Sequence, residues 1–238
     1  IAIASGRTKG EYARMRTPLE EILPELPGEI FRGTAFAARA TEARWEPIGL
    51  SALDARIGGG LPVGRCSEFF GAISGGSTNL AIRLLSGVTA ARRSVGWIDP
   101  HDVFDAGACT RFGGYLPEVL WVRPQDQRQA LEVAEILLRS GDFPLVVLDL
   151  QPRPEVALPF VSAPPLRMGA AVGVRLSRAA AKNNATLLIL SGADPRLQGV
   201  PAAVRLECCV TRALWASGSE DRRFIRGVQS TIKVHRSP

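Results

Sequence analysis

Histidine and cysteine are scarce in this chain, and their scarcity limits the metal and redox sites that it can form. The 238 residues include two histidines and four cysteines, and the cysteines show no C-x-x-C spacing. Zinc sites and disulfide frameworks depend on recurring spacings of these residues. The sequence therefore predicts neither a metal site nor a disulfide. The adjacent pair Cys208 and Cys209 is expected to be buried in a strand, with redox activity as the alternative.

Long apolar runs are also absent. No segment approaches the roughly 18 apolar residues needed to span a bilayer, and no signal-peptide pattern opens the sequence. We therefore expect a soluble, cytoplasmic protein without membrane partners. A chain of 238 residues can bury one large core, or one core with a small appendage.

Acidic residues are outnumbered by basic ones. The chain has 29 lysines and arginines against 23 aspartates and glutamates, which gives a net charge of +6, and the excess is almost all arginine. Such a balance favours nucleic acid or an acidic protein as a partner. A genome rich in G and C would explain the same arginine content without any binding function.

Residues 71–78 read GAISGGST, which is the phosphate-binding loop pattern G-x-x-x-x-G-K-[ST] without its lysine. The glycines of such a loop let backbone N–H groups turn toward a phosphate at a helix N-terminus, and the lysine meets the β- and γ-phosphates. Because Ser77 stands at the lysine position, we expect ATP with magnesium to bind weakly or not at all. A glycine-rich turn between a strand and a helix is the alternative. The candidate nucleotide-binding residues here are Gly71, Ser74, Gly75, Gly76, Ser77 and Thr78.

From Ile48 onward, strand patterns alternate with helix patterns. Such alternation predicts an α/β fold with a mostly parallel sheet covered by helices on both faces, and the last strands predict an antiparallel extension. The predicted strands are Cys66–Phe70, Ser94–Ile98, Val119–Val122, Leu145–Asp149, Thr186–Ser191 and Ala203–Thr211, then a terminal pair around Arg222–Arg226 and Thr231–His235. The predicted helices are Thr78–Arg92, Asp102–Phe112, Gln127–Ser140 and Leu166–Asn183.

The first 46 residues have a different composition, being basic and interrupted by glycine and proline. Thr17-Pro18-Leu19-Glu20 is a helix start, with threonine as cap and proline at the first helical position. Residues 29–39 predict a second helix. We therefore divide the chain into a small helical N-terminal arm or domain, residues 1–46, and a core with a C-terminal β extension, residues 47–238.

Two predicted strands end in aspartate, at Asp99 and Asp149. In phosphate-loop proteins, an aspartate at the end of an apolar strand lies beside the loop's serine or threonine, where it can hold magnesium directly or through water. We therefore assign Asp149 to the vestigial nucleotide site. The alternative is a strand-end turn, where aspartate is common.

From about Ile48 to its C-terminus, the chain resembles the RecA family of recombinases. The order and spacing of several motifs carry the resemblance, which implies a RecA-like core built around a phosphate loop. The matching residues are Leu50–Asp54, Gly60–Arg65, Glu68, Gly71–Thr78, Trp97–Asp99, Asp105, Asp149 and Ala203–Glu207.

The departures from the family's pattern fall on its catalytic chemistry. Ser77 stands at the loop lysine, His101 at the catalytic glutamate, and Gly192-Ala193 replaces the Asn-Gln pair that senses the γ-phosphate. Phosphoryl transfer then lacks both charge stabilisation and a general base. We therefore predict a RecA-type fold with no catalytic residues and no ATPase activity. The alternatives are Asp102 as base in a shifted register, and an arginine from a neighbouring subunit.

The family's two DNA-binding loops correspond to Gln151–Arg167 and Asp194–Pro201. Both contain prolines, which stiffen a loop and argue against its ordering around a single strand of DNA. Basic residues near the C-terminus could contact phosphates or an acidic partner, and a solvated strand face is the alternative. The candidate DNA- or partner-binding residues are Arg153, Arg167, Arg196, Arg222, Arg223, Arg226, Lys233 and Arg236.

With its degenerate nucleotide site, the chain is similar to a diverged bacterial branch of the family, the ImuA-type accessory proteins of mutagenic translesion synthesis. That resemblance implies a non-catalytic role in the SOS response to DNA damage, in association with the nucleoid. The implied partners are a Y-family polymerase-like protein and an error-prone replicative polymerase complex, with RecA and single-stranded or primed DNA as further ones. The alternatives are a DNA-dependent ATPase that uses a lysine or arginine in trans, and a regulator of RecA filaments.

Overall fold

Strands and helices alternate along the chain as the sequence predicts. The structure, a computed structural model, describes residues 44–72, 74–151, 168–192, 201–217 and 223–236. The strands are β1 (Trp45–Glu46), β2 (Leu61–Pro62), β3 (Cys66–Gly71), β4 (Val95–Ile98), β5 (Val119–Val122), β6 (Leu145–Asp149), β7 (Thr186–Ser191), β8 (Ala202–Ser217) and β9 (Arg223–Arg236). The helices are α1 (Ser51–Arg56), α2 (Ser77–Ala90), α3 (Ala106–Arg111), α4 (Gln127–Ser140) and α5 (Ala170–Lys182), with a 3-10 turn at Leu116–Glu118.

A seven-stranded sheet in the order β5-β4-β6-β7-β3-β8-β9 organises the core. All neighbouring strands run parallel except β8 and β9, which pair antiparallel. Strands β1 and β2 form a separate antiparallel pair. The predicted α/β class is therefore confirmed, including the mostly parallel sheet and the antiparallel C-terminal strands.

Each face of the sheet carries its own apolar core. Alternate residues of β6 divide between the two cores, so that Leu145 and Val147 pack with the α2 and α3 side, while Val146 and Leu148 pack with the α4 and α5 side. Every residue of β6 and β7 is buried. Continuous apolar strands are what a parallel sheet with helices on both faces requires, and they hold the carboxyl ends of these strands at one edge of the sheet.

The C-terminal strands differ from the prediction. The predicted terminal pair is one continuous strand, β9, and β8 extends six residues beyond the predicted end at Thr211. The two strands pair from Arg205 to Ser217 with register shifts that mark β-bulges. Long antiparallel pairing supplies backbone hydrogen bonds where the apolar pattern is weak, and the apolar pattern was the only local signal available.

Helix α3 is shorter than the predicted Asp102–Phe112. The side chain of Asp99 accepts hydrogen bonds from backbone N–H groups of the following loop, and this holds the loop out of helical geometry. Asp105 then caps the helix by accepting from the N–H of Ala108 at 2.8 Å.

The predicted N-terminal helices lie outside the described residues, and the division between residues 46 and 47 stays a prediction. From Arg44 onward the described residues belong to one compact unit. In this part of the chain, no helix is long and apolar enough to cross a membrane.

Candidate functional site

The glycine loop joins the end of β3 to the start of α2 and packs against the backbone of β8. A Cβ atom at Gly71 or at Gly75 would overlap the carbonyl oxygen of Cys208. Gly76 has a φ of 100° and lies below β9, where an added Cβ would come within 3.3 Å of the Ser230 hydroxyl. The glycines are thus required by close packing as well as by the loop pattern.

The two hydroxyl residues that follow the glycines are bound to Gln151. Ser77 donates from Oγ to Gln151 Oε1 at 2.8 Å, and Gln151 Nε2 donates to Thr78 Oγ1 at 2.9 Å. Ser77 is buried and Thr78 half-buried, both in the first turn of α2. Ser74, by contrast, lies exposed in the loop with a φ of 66°. The structure therefore brings Ser77 and Thr78 together with a residue that sequence analysis did not assign to the site.

Asp149 ends β6 beside this cluster. Its Oδ1 accepts from the backbone N–H of Gln151 at 3.1 Å and from Gln151 Nε2 at 3.3 Å. Its Oδ2 is buried and has no hydrogen-bond partner among the described residues. Burial raises the pKa of Asp149 to about 7, the hydrogen bonds from Gln151 lower this pKa, and the charge of Asp99 raises it. Near neutral pH this carboxyl is therefore protonated in a large share of molecules.

The other strand-end aspartate, Asp99, shapes the loop after β4. Its carboxylate accepts from the backbone N–H groups of His101, Val103 and Phe104 at 3.3, 2.8 and 2.9 Å, and from Trp121 Nε1 at 3.2 Å. Four donors converge on one fully buried side chain. Asp99 therefore has the turn-forming role that was the alternative for strand-end aspartates.

The two candidate replacements for the catalytic base lie in this loop. His101 is half-buried and its backbone N–H is held by Asp99. Asp102 is exposed, has a φ of 58°, and pairs with Arg123 at 3.4 Å. Its carboxylate is therefore engaged by an exposed arginine that follows β5.

At the end of β7, the chain has a buried ionic contact beside Gly192, where the family has its γ-phosphate sensor. Ser191 donates to Glu68 Oε1 at 2.9 Å, and Arg205 Nε lies 3.2 Å from Glu68 Oε2. Burial raises the pKa of Glu68, while the hydrogen bond from Ser191 and the charge of Arg205 lower it. Gly192 itself accepts a backbone hydrogen bond from Gly71 at 3.4 Å and carries no side chain that could sense a phosphate.

Magnesium with ATP is the ligand that a phosphate loop implies. Thr78 and Asp149 are the residue types that hold magnesium in such loops. Both are already hydrogen-bonded to the Gln151 amide, and Ser77 offers no positive charge to a phosphate. The residues in this arrangement do not fit magnesium with ATP, although the loop backbone follows the phosphate-loop pattern.

Few of the basic residues predicted to bind DNA or a partner have side chains that the structure describes. Lys233 lies 3.4 Å from Glu207 Oε1, and His235 Nε2 lies 2.7 Å from Glu207 Oε2. The side-chain hydrogen bonds of Cys209 and His235, with the charge of Lys233, lower the pKa of Glu207. Glu207 thus offsets part of the positive charge here. Arg223, Arg226 and Arg236 belong to β9, whereas Arg153, Arg167, Arg196 and Arg222 lie outside the described residues.

Two exposed apolar surfaces lie at opposite ends of the sheet, and sequence analysis did not identify either. The edge surface, around β5, consists of Phe112, Tyr115, Leu116, Leu120 and Trp121. The ribbon surface, which takes in both faces of the β8–β9 pair, consists of Val210, Leu214, Trp215 and Val228. Arginines stack on the edge surface, with Arg92 3.5 Å above the Tyr115 ring. The short β5 reads VLWV and is apolar throughout, so its sequence gave no sign that some of its side chains face solvent.

Comparison with known proteins confirms the resemblance to RecA. Residues 37–158, about half of the chain, match the RecA N-terminal domain. The chain is 36% identical to Protein RecA of Solidesulfovibrio magneticus over 104 residues, 43% of this chain and 29% of that protein. It is 36% identical to Protein RecA of Clavibacter michiganensis over 146 residues, 58% of this chain and 40% of that protein.

A further relative is the mitochondrial DNA repair protein recA homolog of Dictyostelium discoideum, 33% identical over 149 residues, 58% of this chain and 32% of that protein. The match thus spans at most 40% of the length of these three relatives. With the parallel sheet, the glycine loop between β3 and α2, and the domain match over residues 37–158, this chain belongs to the RecA family.

Proposed function

We propose that this protein is a non-catalytic RecA-like accessory in the bacterial DNA damage response, of the ImuA type that supports translesion synthesis. The observation that carries the proposal is the phosphate loop in which Ser77 stands in place of the lysine. A phosphate loop without its cation loses the main electrostatic stabilisation of phosphoryl transfer. A RecA-family body without that chemistry retains its surfaces, and binding is the function that those surfaces support.

The edge and ribbon surfaces support protein partners. Trp215 is 56% exposed and Leu120 is 43% exposed. Exposed apolar clusters of this kind mark contact sites more often than scattered single residues do. We propose that a Y-family polymerase-like protein, and through it an error-prone replicative polymerase complex, contacts one of these surfaces, with residues 1–46 as an additional arm.

The sequence of β9 supports contact with phosphates. This strand contains Arg223, Arg226, Lys233 and Arg236 and no acidic residue. Clustered basic residues bind nucleic acid mainly through its backbone, so that affinity falls steeply as salt is added. We propose that single-stranded or primed DNA near the nucleoid is held in this way, without a nucleotide cofactor.

Damage-induced mutation frequency tests the accessory role. The gene is deleted and replaced by wild type, Leu120→Glu, Trp215→Glu or Ile136→Glu, the last being an isolated α4 residue that is 64% exposed. We expect deletion to lower the frequency by about tenfold and the Leu120→Glu or Trp215→Glu protein to fail in restoring it, since a buried charge at an interface costs more than about 1.4 kcal/mol. Wild type and Ile136→Glu should restore it. An unchanged frequency after deletion would overturn the proposal.

The second candidate is a DNA-dependent ATPase that borrows a lysine or arginine from a neighbouring subunit. It retains Thr78 and Asp149, the residue types that hold magnesium, but it requires the Gln151 amide to leave them. Binding of a fluorescent single-stranded oligonucleotide across a salt series, with and without magnesium and ATP, separates the two functions. Binding that requires ATP supports the motor. Binding that is indifferent to ATP but weakened by salt supports the accessory.

A further inference from the structure

We propose that the side-chain amide of Gln151 occupies the place of the magnesium ion, and that Gln151 and Ser77 together convert the phosphate loop into a closed structural joint. This joint connects β6 with the first turn of α2 through hydrogen bonds to Ser77, Thr78 and Asp149. The contacts of Gln151 are independent of any partner of the protein. Experiments can therefore refute the closed joint while the proposed damage-response role stands, and they can refute that role while the closed joint stands.

The hydrogen bonds of Gln151 use the same oxygen atoms that a cation would need. Its Nε2 donates to Thr78 Oγ1 at 2.9 Å and to Asp149 Oδ1 at 3.3 Å. A magnesium ion binds its oxygen ligands at about 2.1 Å and accepts little distortion of its octahedral geometry. An N–H donor and a cation compete for the lone pairs of Thr78 Oγ1 and Asp149 Oδ1, so the ion can take these two ligands only after the Gln151 amide leaves.

The oxygen of the same amide explains why a serine stands at position 77. Gln151 Oε1 accepts from Ser77 Oγ at 2.8 Å, and Ser77 is only 2% exposed. A hydroxyl fits this position as a short donor. A lysine there would meet the same amide oxygen. Restoring the lysine alone would therefore direct the new charge toward Gln151 rather than toward a phosphate.

The loop is also held from its other side, by β8 and β9. The backbone of Gly71 and Gly75 lies against the carbonyl oxygen of Cys208, and Gly76 lies close to Ser230. Gln151 thus completes a set of contacts in which the loop is fixed by neighbouring strands instead of by a ligand. The closure predicts that two substitutions, at positions 77 and 151, are needed together to reopen the site.

Binding of a fluorescent ADP analogue with magnesium tests this coupling. The proteins are wild type, Ser77→Lys, Gln151→Ala and the double variant. We expect the double variant to bind at least about tenfold more tightly than Ser77→Lys, a difference of about 1.4 kcal/mol. Equal affinity of Ser77→Lys and the double variant would overturn the proposal, because Gln151 would then be no obstacle.

Thermal unfolding supplies a measurement that needs no nucleotide. Gln151→Ala should lower the Tm by several degrees, since it removes three side-chain hydrogen bonds from a part-buried cluster. Gln229→Ala, at an exposed glutamine of β9, is the matched control and should leave the Tm unchanged. Equal Tm values for the two variants would contradict the closure.

Gln151→Glu keeps the shape of the side chain and exchanges the N–H donor for an oxygen. Its carboxylate next to Asp149 should lower the Tm in chelator, and about 10 mM magnesium chloride should restore part of the loss by binding the folded state. The Tm of wild type should not respond to magnesium chloride. An equal rise in the wild-type Tm would overturn the proposal, because the ion would then bind with Gln151 in place.

Discussion

The loop end of the sheet and the two sheet edges place their polar and apolar residues in opposite ways. At the loop end, Ser77 and Asp149 are buried and bound to Gln151. At the edges, Leu120 and Trp215 face solvent. A phosphoryl-transfer enzyme needs polar groups that are directed toward its ligand. The difference shows that this RecA-family chain uses polar groups of its loop for internal packing and leaves apolar side chains exposed toward the sheet edges, which supports the proposal that partners bind there.

The largest loss of stability is expected for a substitution where the glycine loop packs against β8. Gly71→Ala places a Cβ on the carbonyl oxygen of Cys208, which the central sheet holds in place. We expect the free energy of unfolding to fall by about 3 kcal/mol or more. The control is Gly87→Ala in α2, where nothing beyond the adjoining helix backbone lies within 4 Å of the new Cβ. This change should stabilise the helix by roughly 0.5–1 kcal/mol, and urea unfolding that ranks the two variants equally would contradict the packing.

The second-largest loss in the free energy of unfolding is expected for a substitution of Asp99. Asp99→Ala leaves the N–H groups of Val103 and Phe104 and the indole N–H of Trp121 without their acceptor. A buried donor left unpaired costs about 1–3 kcal/mol, and we expect a loss of that size in the free energy of unfolding. Asp102→Asn removes only the charge of an exposed pair with Arg123, keeps a residue type that tolerates a φ of 58°, and should cost less than about 0.5 kcal/mol. Similar losses would show that Asp99 does not organise the loop.

The pH dependence of stability tests the loop end of the sheet, where the Asp149 carboxyl is buried. Folding raises the pKa of this carboxyl from 3.8 to about 7, so the folded state binds a proton that the unfolded state releases. The resulting stability is fully present below the unfolded pKa and is lost as pH rises through the folded pKa, between about pH 4 and pH 7. Asp149→Asn lacks this titration. The Tm of wild type minus that of Asp149→Asn should fall by a few degrees over this range, and a constant difference would contradict the buried, unpaired carboxyl.

The smallest effect is a difference in the rates at which a thiol reagent modifies the cysteines. Two of them, Cys208 and Cys209, are neighbours on opposite faces of β8. Burial raises the pKa of Cys208 to about 12 and that of Cys66 to about 11. Cys209 is half-buried, and its hydrogen bond to Glu207 raises its pKa. A thiol reagent added to the native protein should modify Cys209 slowly and the three buried cysteines far more slowly. Fast modification of Cys208 would contradict its place in the core.

Several elements of the fold follow from local patterns. The predicted bounds of β5, β6, β7 and α4 coincide with the observed ones. In β6 and β7 an unbroken apolar run lies between turn residues, and in α4 the apolar residues recur with the helical period. The pairing that extends β8 and joins β9 into one strand left no such pattern, because backbone hydrogen bonds form whatever the side chains are.

The residues of the candidate site likewise divide into those that local sequence patterns revealed and those that only the structure revealed. The glycines, Ser77, Thr78 and Asp149 were recognised from the loop pattern and from a strand that ends in aspartate. Gln151 was missed, because its partner Thr78 lies 73 residues away in the chain. The functional assignment of these residues, and of the basic residues of β9, stays a prediction.

Local patterns were therefore sufficient for the α/β class, the order of the main strands and helices, and the loss of the loop lysine, since each depends on residues that are close in the chain. The hydrogen bonds of Gln151 to Ser77, Thr78 and Asp149, the role of Asp99 as a turn former and the exposure of apolar residues toward both sheet edges required the folded structure. These features depend on which distant residues the sheet brings within hydrogen-bonding distance and on which side chains it leaves uncovered.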